Sequence, residues 1–183
     1  TSFTSNVDDL VAACAYLDAQ GYAPTLLIGH SLGGAAVLKA ASLLPQIKAV
    51  ATLGAPFDPE HVTHNFADAL PEIMAKGEAE VSLGGRPFII GRRFVEDVAE
   101  EVLAEAIATL RAALLVLHAP QDAIVSIDNA SQIFIAAKHP KSFVTLDDAD
   151  HLITRVEDAE YAADVIATWA GRYLELAPPA PPP

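Results

Sequence analysis

Four short apolar runs, separated by segments of helical periodicity, constrain the fold more than any other feature of this sequence. The runs lie at 25–28, 47–53, 114–117 and 143–146. A short continuous apolar run is typical of a strand that is buried on both faces. Buried strands that alternate with amphipathic helices predict an α/β fold, with a mostly parallel sheet and helices on both of its faces.

The segments around the runs carry helix signals. Residues 5–20 have an apolar face, with Ser5 and Asp8 as a capping pair and Gly21 as the end signal. Further helices are predicted over Ala35–Leu44, over about 127–138, and from Thr154, where Glu157 would complete a capping box.

The stretch from about 57 to 111 interrupts this alternation. It predicts a helix that Pro71 breaks or restarts, a hairpin around Gly84-Gly85, and one helix from Val95 to Leu110 that follows Arg92-Arg93. We interpret the stretch as an insertion that covers the site, within a single domain over 1–176. The proline-rich residues 177–183 predict a tail or linker.

Composition and charge exclude several kinds of partner. The 183 residues carry a formal net charge of −13, which would repel nucleic acid and anionic membrane surfaces. No apolar stretch approaches the ~18 residues of a membrane span. The chain begins at Thr1 without a leader pattern, and its one cysteine, Cys14, is expected to be a buried thiol. These features predict a cytoplasmic protein.

One motif points to catalysis. Ser31 lies in Gly29-His30-Ser31-Leu32-Gly33-Gly34, between a buried run and a helix of small residues. This is the setting of a nucleophile elbow, a tight turn that projects a serine above the ends of the strands. Gly29 and Gly33 would allow close backbone approach. The alternative is a glycine-rich turn in which Ser31 only caps the helix.

A serine nucleophile needs a base and an acid that orients the base. Asp122 follows the run at 114–117, and His151 follows the run at 143–146, in the chain order that this fold requires. Other carboxylates compete with Asp122 for the role of acid: Asp128, Asp147, Asp148 and Asp150. The remaining histidines are expected to be structural or to lie on the surface: His30, His61, His64, His118 and His139. Their spacing does not indicate a metal site.

Other residues complete the predicted site. The backbone N–H of Leu32 would donate to the oxyanion. Candidates for binding substrate are His30, Phe57 and Phe88, and no cofactor is needed. The insertion offers further apolar side chains that could line the pocket or belong to the core: Phe66, Met74 and Phe94.

Nearly the whole chain resembles the hydrolase portion of the α/β-hydrolase/OsmC fusion proteins. The matching segments are Phe3–Ala12, Leu27–Ala36, Glu80–Phe88, Leu114–His118, His139–Phe143 and Asp150–Leu152. The resemblance implies an α/β-hydrolase fold, cleavage of esters or thioesters, and a triad of Ser31, Asp122 and His151. It also implies that an OsmC-type peroxidase domain would follow in such fusions.

The chain departs from that family at its start. Full-length members have several strands before the first helix, and a loop there supplies a second oxyanion donor. We therefore expect an N-terminally truncated sheet whose exposed edge favours a homo-oligomer. Two functions follow as hypotheses: a carboxylesterase for short-chain esters, with a small-molecule ester as its partner, or a non-catalytic scaffold that keeps a relic triad.

Overall fold

The computed structural model describes residues 2–83, 85–100 and 102–174. The helices are α1 (Phe3–Ala19), α2 (Leu32–Leu43), α3 (Leu70–Lys76), α4 (Arg92–Glu100), α5 (Leu103–Thr109), α6 (Ile127–Ala136) and α7 (Val156–Ala170), with a 3₁₀ helix over Pro59–Ala69. The strands are β1 (Leu26–His30), β2 (Ala49–Leu53), β3 (Glu78–Leu83), β4 (Arg86–Gly91), β5 (Ala113–His118) and β6 (Lys141–Thr145).

A four-stranded parallel sheet forms the centre of the fold. Its strand order is β1-β2-β5-β6. Val50 lies opposite Leu114, and Leu53 lies opposite Leu117. Because all four strands run the same way, the loops that follow β1, β5 and β6 meet at one edge of the sheet. The predicted parallel α/β fold is confirmed.

Helices cover both faces of the sheet. Val50, Leu114 and Val116 share one buried cluster with side chains of α1, α2, α5 and α6. The alternate residues of the same strands, Leu115 and Leu117, pack with Ala162 and Ile166 of α7 on the other face. This alternation explains why the β2 and β5 runs are apolar at every position.

The first and last apolar runs differ from the prediction of strands buried on both faces, because β1 and β6 are the edges of the described sheet. Phe143 of β6 is 37% exposed. Ile28 of β1 is 52% exposed. Within the described part of the sheet, β1 is an edge strand that pairs only with β2, so Leu27 is buried while Ile28 and His30 are exposed.

Several predicted helix ends were wrong. Helix α1 begins two residues earlier than expected, because Ser2 caps it and forms the capping box with Ser5. Helix α7 begins at Val156 without a side-chain cap. Thr154 precedes the N-cap residue Arg155, and its N–H and hydroxyl both donate to the carboxylate of Asp150.

The segment between β2 and β5 contains the 3₁₀ helix, α3, the antiparallel hairpin β3–β4, α4 and α5. The hairpin and the helix restart at Pro71 are as predicted. The single helix over Val95–Leu110 is not observed, because the backbone of Val102 is extended and separates α4 from α5. A carboxylate joins this segment to α1, since Asp97 accepts hydrogen bonds from the N–H and the hydroxyl of Thr4, both at 2.6 Å.

Candidate active site

Ser31 occupies a sharp turn between β1 and α2. Its backbone has φ 53° and ψ −129°, a left-handed conformation that costs a non-glycine residue about 1–3 kcal/mol. The Ser31 N–H donates to the carbonyl of Leu53 at 2.8 Å, which anchors the turn to β2. The Ser31 side chain makes no capping hydrogen bond to α2, so the alternative of a simple helix cap does not describe it.

Glycines make this turn possible, although one of them is not the residue expected. A Cβ on Gly29 would lie 2.3 Å from the carbonyl oxygen of Gly33. A Cβ on Gly33 itself would meet nothing within 4 Å, so the expectation for that residue was wrong. The close approach instead occurs at Gly34, where a Cβ would lie 2.5 Å from the Cβ of Ala55.

Two hydrogen bonds connect Ser31, His151 and Asp122. The His151 Nδ1–H donates to Asp122 Oδ2 at 2.7 Å, because a carboxylate can only accept. His151 Nε2 then carries a lone pair, which accepts the hydroxyl proton of Ser31 at 3.0 Å. The three side chains come from the loops after β1, β5 and β6, where the sheet brings them together.

The loop after β5 holds Asp122. Its other oxygen, Oδ1, accepts the backbone N–H groups of Ile124 at 2.8 Å and Val125 at 2.9 Å. Burial by itself raises the pKa of this carboxyl. The hydrogen bonds from His151, Val125 and Ile124 outweigh burial and hold the pKa below its usual range.

A second histidine supports the same loop. His118, at the end of β5, is fully buried. Its Nε2–H donates to the carbonyl of Val125 at 2.8 Å, and the same nitrogen lies 3.6 Å from Asp122 Oδ2. This histidine therefore fastens the turn that carries the carboxylate, which agrees with its predicted structural role.

Two further residues touch His151. The Nε2–H of His30 donates to the backbone carbonyl of His151 at 2.6 Å. Gly54 follows β2 with φ 55°, and a Cβ there would lie 3.3 Å from His151 Nδ1 and 3.4 Å from Asp122 Oδ2. Gly54 was not among the site residues predicted from the sequence. The signal available was a glycine directly after a buried strand, at the edge where the other loops meet.

An apolar cavity of about 330 Å³ opens beside Ser31. Leu32, His30 and Phe88 line it, as does Phe94 of α4. The remaining candidates lie elsewhere: Phe66 is in the core, Met74 is on the surface, and Phe57 borders a separate cavity with Leu103 and Gln132. The N–H of Phe57 donates to Asn129 Oδ1 at 3.0 Å, which fixes this residue away from Ser31.

Six lining residues were not anticipated from the sequence: Val62, Asn65, Ile90, Ile124, Val125 and Leu152. They come from the 3₁₀ helix, the hairpin and the loops that carry Asp122 and His151. Helical or strand periodicity could have marked some of them as apolar-face residues, but not as neighbours of Ser31.

The comparison with known families agrees with this arrangement. Residues 1–165 match the model of the Alpha/beta hydrolase family. The chain belongs to the alpha/beta hydrolase family. No curated protein sequence matches it significantly.

Solved structures share the fold of this alpha/beta hydrolase. The esterase domain of a Rhodothermus marinus protein is 49% identical, with a TM-score of 0.79, and the match covers 94% of this chain and 70% of that one. Alpha/beta hydrolase domain-containing protein 10 from mouse is 22% identical, with a TM-score of 0.73 and the same coverages. The Paleococcus ferrophilus monoacylglycerol lipase is 19% identical, with a TM-score of 0.71, and the match covers 95% and 77% of the two chains. The latter two matches show the fold alone.

The competing carboxylates of this alpha/beta hydrolase lie away from His151's ring nitrogens. Asp150 accepts from Thr154, and Asp128 lies in the first turn of α6. Asp147 and Asp148 are exposed.

The other predicted features of this alpha/beta hydrolase can be located as well. Cys14 is buried, and burial raises the pKa of its thiol. Arg92 donates to the carbonyl of Met74. No group of three metal-ligating side chains occurs among the residues that the structure describes, and no helix in those ranges is long and apolar enough to cross a membrane.

Proposed function

We propose that this alpha/beta hydrolase is a serine carboxylesterase that cleaves short-chain carboxylic esters through Ser31, His151 and Asp122. The observation that carries the proposal is the chain of two hydrogen bonds, 3.0 Å from Ser31 to His151 and 2.7 Å from His151 to Asp122. Nucleophile, base and orienting acid are then within reach of one another, as acyl transfer requires. The 49% identity to an esterase domain supports the same class of reaction.

The first half of the reaction forms an acyl-enzyme. Ser31 Oγ attacks the ester carbonyl carbon while its proton moves to His151 Nε2. The N–H of Leu32, in the first turn of α2, has no acceptor within its own helix and donates to the oxyanion. Collapse of the tetrahedral intermediate breaks the carbon–oxygen bond, and His151 returns its proton to the departing alcohol.

The second half releases the acid. A water molecule gives a proton to His151 Nε2 and attacks the acyl carbon, and collapse then frees Ser31 Oγ, which recovers the proton. Asp122 stays ionised throughout and stabilises the imidazolium in both halves. Thioesters would follow the same route, with a thiol as the leaving group.

Hydrolysis of a short-chain p-nitrophenyl ester tests the proposal. Ser31→Ala and His151→Ala should each lower kcat by about 10³-fold or more, because the residues act as a unit. Asp147→Asn, which replaces an exposed carboxylate outside the site, is the matched control and should keep the parent activity. A Ser31→Ala variant as fast as the parent would exclude the mechanism, and an inactive parent would favour a non-catalytic scaffold.

The predicted homo-oligomer and cytoplasmic location stay predictions, as do the truncated start and the fusion to an OsmC domain. The edge position of β1 and the exposure of Ile28 support association through that edge. Sedimentation analysis of the purified chain measures it directly.

A further inference from the structure

A second, smaller cavity adjoins the one beside Ser31. Its volume is about 170 Å³. Four residues line both cavities: Val62, Asn65, Ile124 and Val125. A molecule held at Ser31 could therefore extend past this shared wall into the second space.

The two cavities differ in chemistry. Phe88, Ile90 and Phe94 line the first cavity but not the second. The second adds polar side chains to its wall, namely His64, Ser126 and Asn129. A few polar groups in an otherwise apolar site are what fixes the orientation of a ligand.

Two of the polar groups at the second cavity remain able to bind a ligand. The Ser126 hydroxyl oxygen accepts the N–H of Asp128 at 3.3 Å, which uses a lone pair and leaves the O–H proton able to donate. The exposed Asn65 carboxamide makes no hydrogen bond within the described ranges of the chain. Asn129 is occupied, since its Oδ1 accepts from Phe57 and its Nδ2 donates to the carbonyl of Ser126.

The charge around the cavities indicates which ligands fit. None of the described residues that line either cavity is Lys, Arg, Asp or Glu. The side chains there that can ionise are histidines, namely His30, His64 and His151, so a charged group on the substrate would find no permanently charged partner. Hydroxyl groups could use both the Asn65 amide and the Ser126 hydroxyl.

We infer that the second cavity is a subsite for an uncharged, hydroxyl-bearing alcohol portion of the substrate, while the apolar acyl portion occupies the cavity lined by Phe88 and Phe94. The substrate class is thus a carboxylic ester of a polyol. Asn65 stands at the junction of the two cavities and selects for the hydroxyl groups. This inference rests on the proposed esterase function.

A matched pair of substrates tests the inference: 2,3-dihydroxypropyl butyrate and propyl butyrate, which differ only in the two hydroxyl groups of the alcohol. The quantity measured is the ratio of their kcat/KM values. The parent should prefer the dihydroxypropyl ester by about fivefold for each hydrogen bond formed. Asn65→Leu, which replaces the carboxamide with an apolar group of similar size, should reduce this ratio by about fivefold. Ser126→Ala is a second variant with the same expectation.

Gln20→Leu is the control, because Gln20 is an exposed amide that caps the end of α1 and lines neither cavity. It should keep the parent's ratio. A parent that hydrolyses both esters equally well, or variants that all retain the parent's preference, would overturn the subsite while leaving the esterase function intact. Failure of the parent to cleave either ester, or cleavage of both by Ser31→Ala, would overturn the esterase function and the subsite with it.

Discussion

At the scale of single residues, the candidate site is a short series of hydrogen bonds that ends in main-chain amides. Ser31 donates to His151, His151 donates to Asp122, and Asp122 also accepts the N–H groups of Ile124 and Val125. The Asp122 and His151 side chains are only 1% and 8% exposed. Because water has little access to them, the orientation of the imidazole depends on these few partners.

The ionisation of Asp122 gives a prediction about stability and pH. Its native pKa lies below the ordinary value of 3.8, so the ionised form stabilises the folded state. That stabilisation is complete above the unfolded pKa and is lost as the pH falls through the native pKa. Asp122→Asn should therefore lower the free energy of unfolding by about 1–3 kcal/mol at pH 7, and by progressively less below about pH 4.

Urea unfolding of the two proteins between pH 3 and pH 7 measures this difference. A difference in the free energy of unfolding between parent and variant that grows as the pH falls would contradict a native pKa of Asp122 below its ordinary value. The same variant should also lose most of its kcat, because the amide no longer fixes the imidazole tautomer.

His118 gives a second prediction at this scale. His118→Leu removes the donor to the Val125 carbonyl and loosens the turn that presents Asp122. We expect kcat to fall about tenfold or more, because the carboxylate that orients His151 is held less firmly. His118→Gln keeps an N–H donor on a side chain of similar length and should restore much of kcat. Equal losses of activity in both variants would argue against a positioning role.

At the scale of helices and strands, the site depends on how closely α2 follows β1. The left-handed Ser31 backbone lets the chain reverse within one residue, and Gly34 then lets α2 contact the loop after β2 at Ala55. The sequence predicted this turn because glycines bracket a serine between a buried strand and a helix. It could not show which of the neighbouring glycines makes the close contact, since that depends on the crossing of α2 over β2.

Two alanine substitutions distinguish the packing of Gly34 from that of Gly33. Gly34→Ala would bring a methyl group within 2.5 Å of Ala55 Cβ, which should cost about 1–3 kcal/mol of stability. Gly33→Ala meets nothing within 4 Å and replaces a glycine inside α2, so it should be neutral or stabilise by about 0.4–1 kcal/mol. Thermal unfolding distinguishes them, and a Gly33→Ala variant less stable than Gly34→Ala would contradict this packing.

At the scale of the whole molecule, the predictable part of the fold and of the site follows from the parallel sheet. Asp122 and His151 were identifiable from the sequence because residues after parallel strands must meet at one edge, whatever lies between the strands. The segment between β2 and β5 was less predictable. The helix break at Val102 and the contact of Phe57 with Asn129 depend on packing between distant parts of the chain. The local periodicity of the sequence does not indicate either of them.

The same segment determines what the site can accept. Val62 and Asn65 of the 3₁₀ helix, with Phe88, Ile90 and Phe94, complete the cavity whose floor is formed by the loops of the sheet. The loops of the sheet thus position Ser31, His151 and Asp122, and the segment between β2 and β5 supplies the phenylalanine side chains of the cavity and part of its remaining wall.

Covalent labelling by a fluorophosphonate shows whether Ser31 is an activated nucleophile, because the probe reacts with a serine only when its hydroxyl is activated by a neighbouring base. The measurement is the labelling rate of the full chain, with the modified residue located by mass spectrometry. We expect one phosphonyl adduct on Ser31 in the parent and none in Ser31→Ala, with labelling strongly slowed in His151→Ala. A parent that stays unlabelled, or an adduct on a different serine, would contradict this expectation.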